Sequence, residues 1–437
     1  MLFIFLALIF SVWIITAKKI FDRIPLGFSF RMVISFFVSL TLLGFLFLLF
    51  LFAGINYNYF IVTSLVLPLI VLSKLKWKLG GVFGDLNIRE LFFEKRGTFI
   101  CAGLLAITYL WTKSDYRWGD WDGVAIWNMH AKFLIDDVYW TNMFKVGFSH
   151  PDYPLLLPAS IALFWKSIGF PTPYIPSMLA YVITISIPFA GFSSLRSKGK
   201  NLMGYLFFLL IALDSHFLTR GASQYADSFL SLFILLTIIL IKNFEGKSKW
   251  EMYLIGFLGA SCGFIKNEGL VFVAILFLIV LSNDKLKRQF KEFITGAMIP
   301  IVFILIFKLI YAPANDLIEG QSANTIKKIF EPERYIFAIK FFAEIIFTKH
   351  FLFLILSVIT FYKSRIYFLS KEFVALILVL LAYYSIYIIT PNDLEWHLET
   401  SFDRLFHQLY PALMYTMLLS LGSVVAFDEN KYWKRLG

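Results

Sequence analysis

The sequence predicts an all-α protein threaded repeatedly through a membrane. Hydrophobic residues make up 59% of the 437-residue chain and charged residues only 16%, where a soluble domain carries roughly a quarter. Apolar runs approaching the roughly 20 residues that a bilayer core demands recur from one end to the other. No alternating strand pattern, internal repeat or low-complexity tract interrupts them.

Taken in order, spans are expected at about 1–17, 31–54, 57–74, 98–112, 174–193, 201–218, 225–242, 252–266, 268–282, 294–312, 350–362, 373–389 and 409–426, about thirteen in all. The first run has no basic stretch before it, and Lys18 and Lys19 follow it. That is the reverse of a cleaved signal peptide, so it reads as a retained span with its N-terminus outside. Residues 153–169, YPLLLPASIALFWKSIG, are apolar but hold two prolines and Lys166. They read as a re-entrant or interfacial helix on the outer side, because a crossing there would invert every later loop. The chain then divides into extra N-terminal spans over 1–97, a core over 98–312 with an outer loop at 113–173, and a region of outer loops and final spans over 313–437.

With that topology most of the 40 Lys and Arg fall in short inner loops, and the outer segments carry an acidic excess, as the positive-inside rule requires. The net charge of +11 therefore reports membrane orientation, and no basic stripe interleaved with aromatics suggests nucleic acid. All six histidines (130, 150, 216, 350, 397 and 407) and the long loops 113–173, 313–349 and 390–408 fall outside. Any chemistry is expected there. Cys101 and Cys262 lie in apolar runs and read as small buried hydrophobes.

Five stretches put polar groups where lipid would not solvate them. WGDWDGVAIWNMHAKF (118–133) interleaves Asp120, Asp122, His130 and Lys132 with tryptophans. Trp127, Ala131 and Leu134 recur at i, i+4 and i+7, which suits a helix lying in the headgroup region with tryptophan anchors. Asp122 at its start reads either as an N-cap or as a functional carboxylate, and Asp120 equally as a solvated loop charge. The D-x-D spacing matches the metal motif of nucleotide-sugar enzymes, but this loop is external and has no strand context. SHPDYPLLLP (149–158) is a proline-fixed turn with His150, Asp152 and Tyr153 at its mouth. HFLTRGASQYADSFLSL (216–232) sets Arg220 and Asp227 at a hairpin tip, as an ion pair or with Arg220 offered to an anion. GFIKNEGLVF (263–272) interrupts apolar sequence with Lys266 and Glu268, which either neutralise each other or mark a site. NDLEWHLETSFDRLFHQLYP (392–411) crowds His397, Arg404 and His407 among acids without zinc-protease spacing.

In this order the stretches resemble the GT-C class of membrane glycosyltransferases, close to the protein O-mannosyltransferases and the lipid A aminoarabinose transferases. WGDWDGVAIW stands where that class has an aspartate on an interfacial helix of the first large outer loop. HPDYPLLLP is similar to its proline-bearing element, SSLRSKGK to a span ending in basic residues, TRGASQYAD to its Arg/Asp hairpin, and GASCGFIKNEG to a glycine-rich span ending K-x-x-G. The match covers roughly 98–285. The chain departs from the pattern in its three extra N-terminal spans and in Gly123, where Glu often follows the family's aspartate. The choice between Asp120 and Asp122 is thereby left open.

The resemblance implies a sugar donor carried on polyprenyl phosphate and an acceptor on a protein, lipid or glycan. It implies no nucleic-acid partner and an active site on the extracytoplasmic face of a plasma membrane. Asp122 or Asp120 would act as general base. Lys266, Arg220, Arg404 and Lys132 would stabilise the leaving phosphate without a divalent metal or other cofactor. His150, Asp152, Tyr153, Asp227, Glu268 and His397 would line the acceptor or sugar. Two other readings share the multi-span layout: a transporter or flippase, and a polymerase or ligase of envelope polysaccharide.

Overall fold

A computed structural model of the chain describes residues 2–22, 24–75, 116–145, 147–315, 321 and 323–424. The described residues are helical or irregular, with no strand among them. Three apolar helices come first: α1 (Leu2–Phe21), α2 (Phe28–Phe52) and α3 (Tyr57–Lys74). A π-helical turn (Gly123–Asn128) runs into α4 (Met129–Leu134), and α5 (Leu156–Ile168) follows. Next are α6 (Tyr174–Ser197), α7 (Asn201–Ala212), α8 (Ser215–Ala222), α9 (Ala226–Asn243), α10 (Lys249–Ile265) and α11 (Gly269–Ser282). The last are α12 (Phe290–Ile306), which ends in a π-helical turn, α13 (Ala323–Ile329), α14 (Pro332–Lys349), α15 (Phe351–Lys363), α16 (Lys371–Ile389) and α17 (Leu394–Val424).

Among the described residues seven helices are long and apolar enough to cross a bilayer, or nine if two bent pairs each count as one span. This is a polytopic helical membrane protein, and among the described residues fewer helices qualify as spans than the sequence suggests. Length is the main reason. α11 has 14 residues and α15 has 13, about 20 Å of helix each against a core of about 30 Å. α10 reaches only 17 residues and carries Lys249 and Glu251 in its first turn. The run expected at 409–426 is the C-terminal part of the long α17, described to Val424, and a bilayer-length stretch of it takes in His407 and Gln408 as well as Tyr410 and Thr416. The expected span 98–112, with Cys101, lies outside the described residues. One expected span is broken, 201–218 being split between α7 and α8, and the expected span 350–362 is the short α15, which α14, in a segment expected to be outer loop, meets at 98°.

The chain divides into two compact units. The first comprises Met1–Ser186, Leu218–Phe229 and Val302–Pro313. In it α1, α2 and α3 pack on one another and on α5. α5 is too short to span, and 11 of its 13 residues are buried. It is therefore a core helix rather than the surface helix its prolines and Lys166 suggest. Lys166 stays soluble at its end by giving its ammonium to Asp137 and to the Ile135 carbonyl.

The second unit comprises Ile187–Phe217, Leu230–Ile301 and Ala314–Gly437. α10 and α12 approach so closely that a Cβ on Gly256 would stand 2.1 Å from the Phe293 carbonyl oxygen, and one on Gly296 2.1 Å from that of Tyr253. Small residues facing each other allow this backbone contact, as in membrane helix pairs generally. α16 packs on α11 and α17. Its C-terminal carbonyls receive cations from neighbouring elements: Arg334 donates to Ile388 and Tyr387, and Lys328 to Thr390. This is the end of a helix that favours positive charge.

Candidate functional site

In the first unit the aspartate loop and the Arg/Asp hairpin are one structure. The Asp120 amide donates to the Ser223 carbonyl at 3.0 Å. A Cβ on Gly119 or on Gly123 would lie 2.7 Å from that same oxygen, and Gly119 has φ +87°. The glycines flanking Asp-Trp-Asp are thus what lets the two segments touch. Gln224 completes the clasp. Its amide nitrogen reaches the Tyr116 and Arg117 carbonyls (3.3 Å each) and Ser177 Oγ (3.1 Å), and its oxygen accepts from Asn128 Nδ2 at 3.2 Å. Asn128 also donates to the Trp118 carbonyl at 2.7 Å. Gln224 holds φ at +63° to do this, an uncommon conformation for a non-glycine residue. The hairpin carrying Arg220 and Asp227 is thereby fixed against the segment carrying Asp120 and Asp122.

The two carboxylates differ. Asp120 is exposed and accepts only its neighbour's amide, from Trp121 at 2.8 Å. Asp122 is 6% exposed and has helical backbone angles, and its side chain makes no capping hydrogen bond. The N-cap role suggested by the sequence is therefore not the one it plays. Trp127, Ala131 and Leu134 are fully buried. They are core residues, not anchors in the headgroup layer, and Trp121 and Val124 face outward instead. The i, i+4, i+7 spacing does put the three on one face, but that face turns into the protein rather than toward the headgroups; residues 123–128, at its start, wind as a π-helix. Such π-turns often accompany functional sites.

The HPDY turn packs against this helix. Tyr153 stacks on Trp127 (centroids 5.5 Å, 26°) and His150 stacks on Tyr153 (4.7 Å, 21°). His150 is the other non-glycine residue with positive φ, at +47°. Asp152 is buried, and its carbonyl accepts the Lys308 ammonium at 2.7 Å. His130 is buried beside this turn. Burial drives its imidazole down from the usual 6.5 to about 4; the Ser149 backbone opposes that shift and His150 adds to it. It is neutral at physiological pH. Its ring nitrogens, Trp127 Nε1 and Asn128 Oδ1 are buried polar atoms that make no hydrogen bond within the distance and angle limits among the described residues, so the Ser149 backbone acts on His130 only loosely. A small crevice, with room for about one water molecule, lies against the clasp, walled by Leu157, Ile161, Pro176, Ala180 and Ile183, with Gln224, Tyr225 and Ser228 at its polar edge.

Asp120, Asp122, Lys132, His150, Asp152, Tyr153, Arg220 and Asp227 all belong to the first unit. Lys132 is exposed, with its ammonium 5.7 Å from the Trp118 ring centroid. Arg220 is half-buried and Asp227 fully buried.

Lys266, Glu268, His397 and Arg404 belong to the second unit. Lys266 is buried at the end of α10 and pairs with Glu268 Oε1 at 3.0 Å, the neutralising arrangement that the sequence offered as the simpler reading. His397 Nδ1 meets Thr390 Oγ1 at 2.8 Å. Burial lowers the His397 pKa, and Glu268 opposes that shift. Among the described residues no three His, Cys, Asp or Glu side chains are grouped to hold a metal ion.

Sequence reasoning missed Gln224, Asn128 and Lys308, and noticed His130 without giving it a role. Gln224 looks like ordinary turn polarity, and Lys308 like an intruder in an apolar run. Only a left-handed backbone and a partner 156 residues away in sequence give them meaning. The chain matches no protein-family model, no curated protein and no solved structure.

Proposed function

We propose that this membrane protein is an inverting glycosyltransferase that moves a sugar from polyprenyl phosphate to an acceptor hydroxyl at the extracytoplasmic membrane surface, with Asp122 as general base. One observation carries the reading. A buried carboxylate sits on a segment clasped by Gln224 to the hairpin that bears Arg220, beside a small apolar crevice.

Each part has a task. The donor's isoprenoid tail stays in lipid. Arg220, with its planar fork of donors, suits the phosphate, and Lys132 adds positive charge at the rim. The acceptor O–H gives its proton to Asp122 as its oxygen attacks the anomeric carbon. The bond from that carbon to the phosphate oxygen breaks, the electron pair leaves with the phosphate, and one displacement inverts the anomeric centre. Asp152, the stacked Tyr153 and His150, and the neutral His130 suit sugar or acceptor hydroxyls. Asp227, buried in the first turn of α9, suits the hairpin's own support.

The test is transfer of labelled sugar from polyprenyl phosphate in vesicles holding the purified chain. Asp122→Asn is expected to lower the rate at least 100-fold, and Asp120→Asn less than tenfold. Equal activity in wild type and Asp122→Asn removes the proposal. A transport reading has one observation in its favour, the two broken helix pairs, since interrupted helices build many transporter sites. Solute uptake by the same vesicles without covalent transfer would establish it instead.

A further inference from the structure

The second unit holds a buried acid–base cluster that the sugar-transfer reading does not use. His350 occupies the break at which α14 and α15 meet at 98°. Its Nε2 lies 3.3 Å from Asp403 Oδ1, and both residues are 5% exposed. The other Asp403 oxygen is 3.8 Å from the ammonium of Lys349, which is one-third exposed. The chain break between α7 and α8 contributes to the same cluster. The ring of His216 lies 6.3 Å from that of His350. Tyr410, hydrogen-bonded to Asp214, lies 5.1 Å from His350, and Phe406 lies 4.7 Å from it. The titratable groups that these elements turn toward His350 are therefore Asp403, Lys349, His216, Tyr410 and Asp214.

The hydrogen-bond inventory fixes the tautomer. A carboxylate only accepts, so neutral His350 carries its hydrogen on Nε2 and a lone pair on Nδ1. That Nδ1 is buried and has no hydrogen-bond partner among the described residues. A proton arriving there gives Asp403 a full countercharge at Nε2. It also creates an N–H on Nδ1 that has no acceptor where it lies. His350 is itself the residue between the two helices at their 98° elbow, so supplying that acceptor acts on the elbow. Interrupted helices with ionisable groups at the breaks are a recurring way to place a proton site in a membrane protein.

We propose that His350 and Asp403 form a proton-binding site at the meeting of the two helix breaks, with the proton taken up on His350 Nδ1 and its occupancy setting the α14–α15 elbow. This goes beyond the transfer reading and stands whether or not that reading holds.

The experiment uses the full chain, labelled with ¹⁵N-histidine, in lipid nanodiscs titrated between about pH 5 and 8. His350→Gln identifies the His350 signals among those of the six histidines. Wild type should show a bare Nδ1 that converts to N–H on acidification. Asp403→Asn should weaken proton binding at His350 about tenfold, and Asp403→Glu should largely restore it. Spin labels at Phe337→Cys and Tyr362→Cys, exposed positions on the two helices, in a chain lacking Cys101 and Cys262, should report a distance change over the same range that is absent in Asp403→Asn. An Nδ1 that stays bare throughout, a titration identical in Asp403→Asn, or a distance independent of pH would each overturn the proposal. The wild-type and Asp403 variants decide it even if His350→Gln fails to fold.

Discussion

The two units hold their candidate residues by different means. Around Asp122 the first unit uses neutral amides and backbone carbonyls: Gln224 bridges Asn128, Ser177 and the 116–117 carbonyls, and Gly119 and Gly123 sit against Ser223. The second unit uses charge, Lys266 with Glu268 and Lys242 with Glu372, beside the neutral hydrogen bond of His350 to Asp403. A neutral clasp fixes geometry without using a charged side chain, and it is indifferent to salt and, over the physiological range, to pH. A buried ion pair fixes geometry by cancelling charge, and losing one partner leaves the other stranded. The first arrangement suits a place where charge is to be used in a reaction. The second suits support, or a switch.

The comparison breaks most sharply at Lys266. Lys266→Met strands a largely buried Glu268 and is expected to cost about 3–5 kcal/mol, seen as a fall in unfolding temperature. Adding Glu268→Gln should recover most of that loss, and a double variant as unstable as the single one would mean the pair is not the support it looks like. In the first unit, Gly123→Ala forces a methyl group against the Ser223 carbonyl and should destabilise by about 1–3 kcal/mol, with transfer lost because the loop and the hairpin part. Gln224→Ala leaves buried partners unsatisfied at about 1–3 kcal/mol. The stability it loses should be the same at low and high salt, whereas the Lys266 effect should not.

The pH response sharpens the comparison further. His130 has its folded value depressed to about 4 from 6.5. Between those values the unfolded chain binds a proton that the folded chain refuses. Folding stability is therefore complete above about pH 6.5 and falls as pH drops toward 4, by about 1–3 kcal/mol. His130→Phe should flatten that limb of a stability–pH curve, and an unchanged curve would contradict the buried neutral state.

Much of this was legible in the sequence. The apolar runs marked most spanning helices within a few residues, as at Tyr57–Lys74 and Lys371–Ile389. Hydropathy does not see length limits or bends, so short α11 and α15 looked like spans and the elbow at His350 looked like a span boundary. Asp122 and the hairpin were visible as polar interruptions. The clasp between them was not, because it depends on Gln224 at positive φ and on two glycines whose purpose is a carbonyl about a hundred residues away. Spacing grouped Trp127, Ala131 and Leu134 on one face correctly, but periodicity does not say whether an apolar face meets headgroups or protein, and this one is buried in protein.

The central claim is that Asp122 takes the acceptor's proton within a site whose donor-binding parts are built by other residues. The most direct measurement compares donor affinity and transfer rate in the same vesicles for wild type and Asp122→Asn. The account predicts donor binding within about threefold of wild type and transfer reduced at least 100-fold. Loss of binding and transfer together, or transfer that survives, would contradict it.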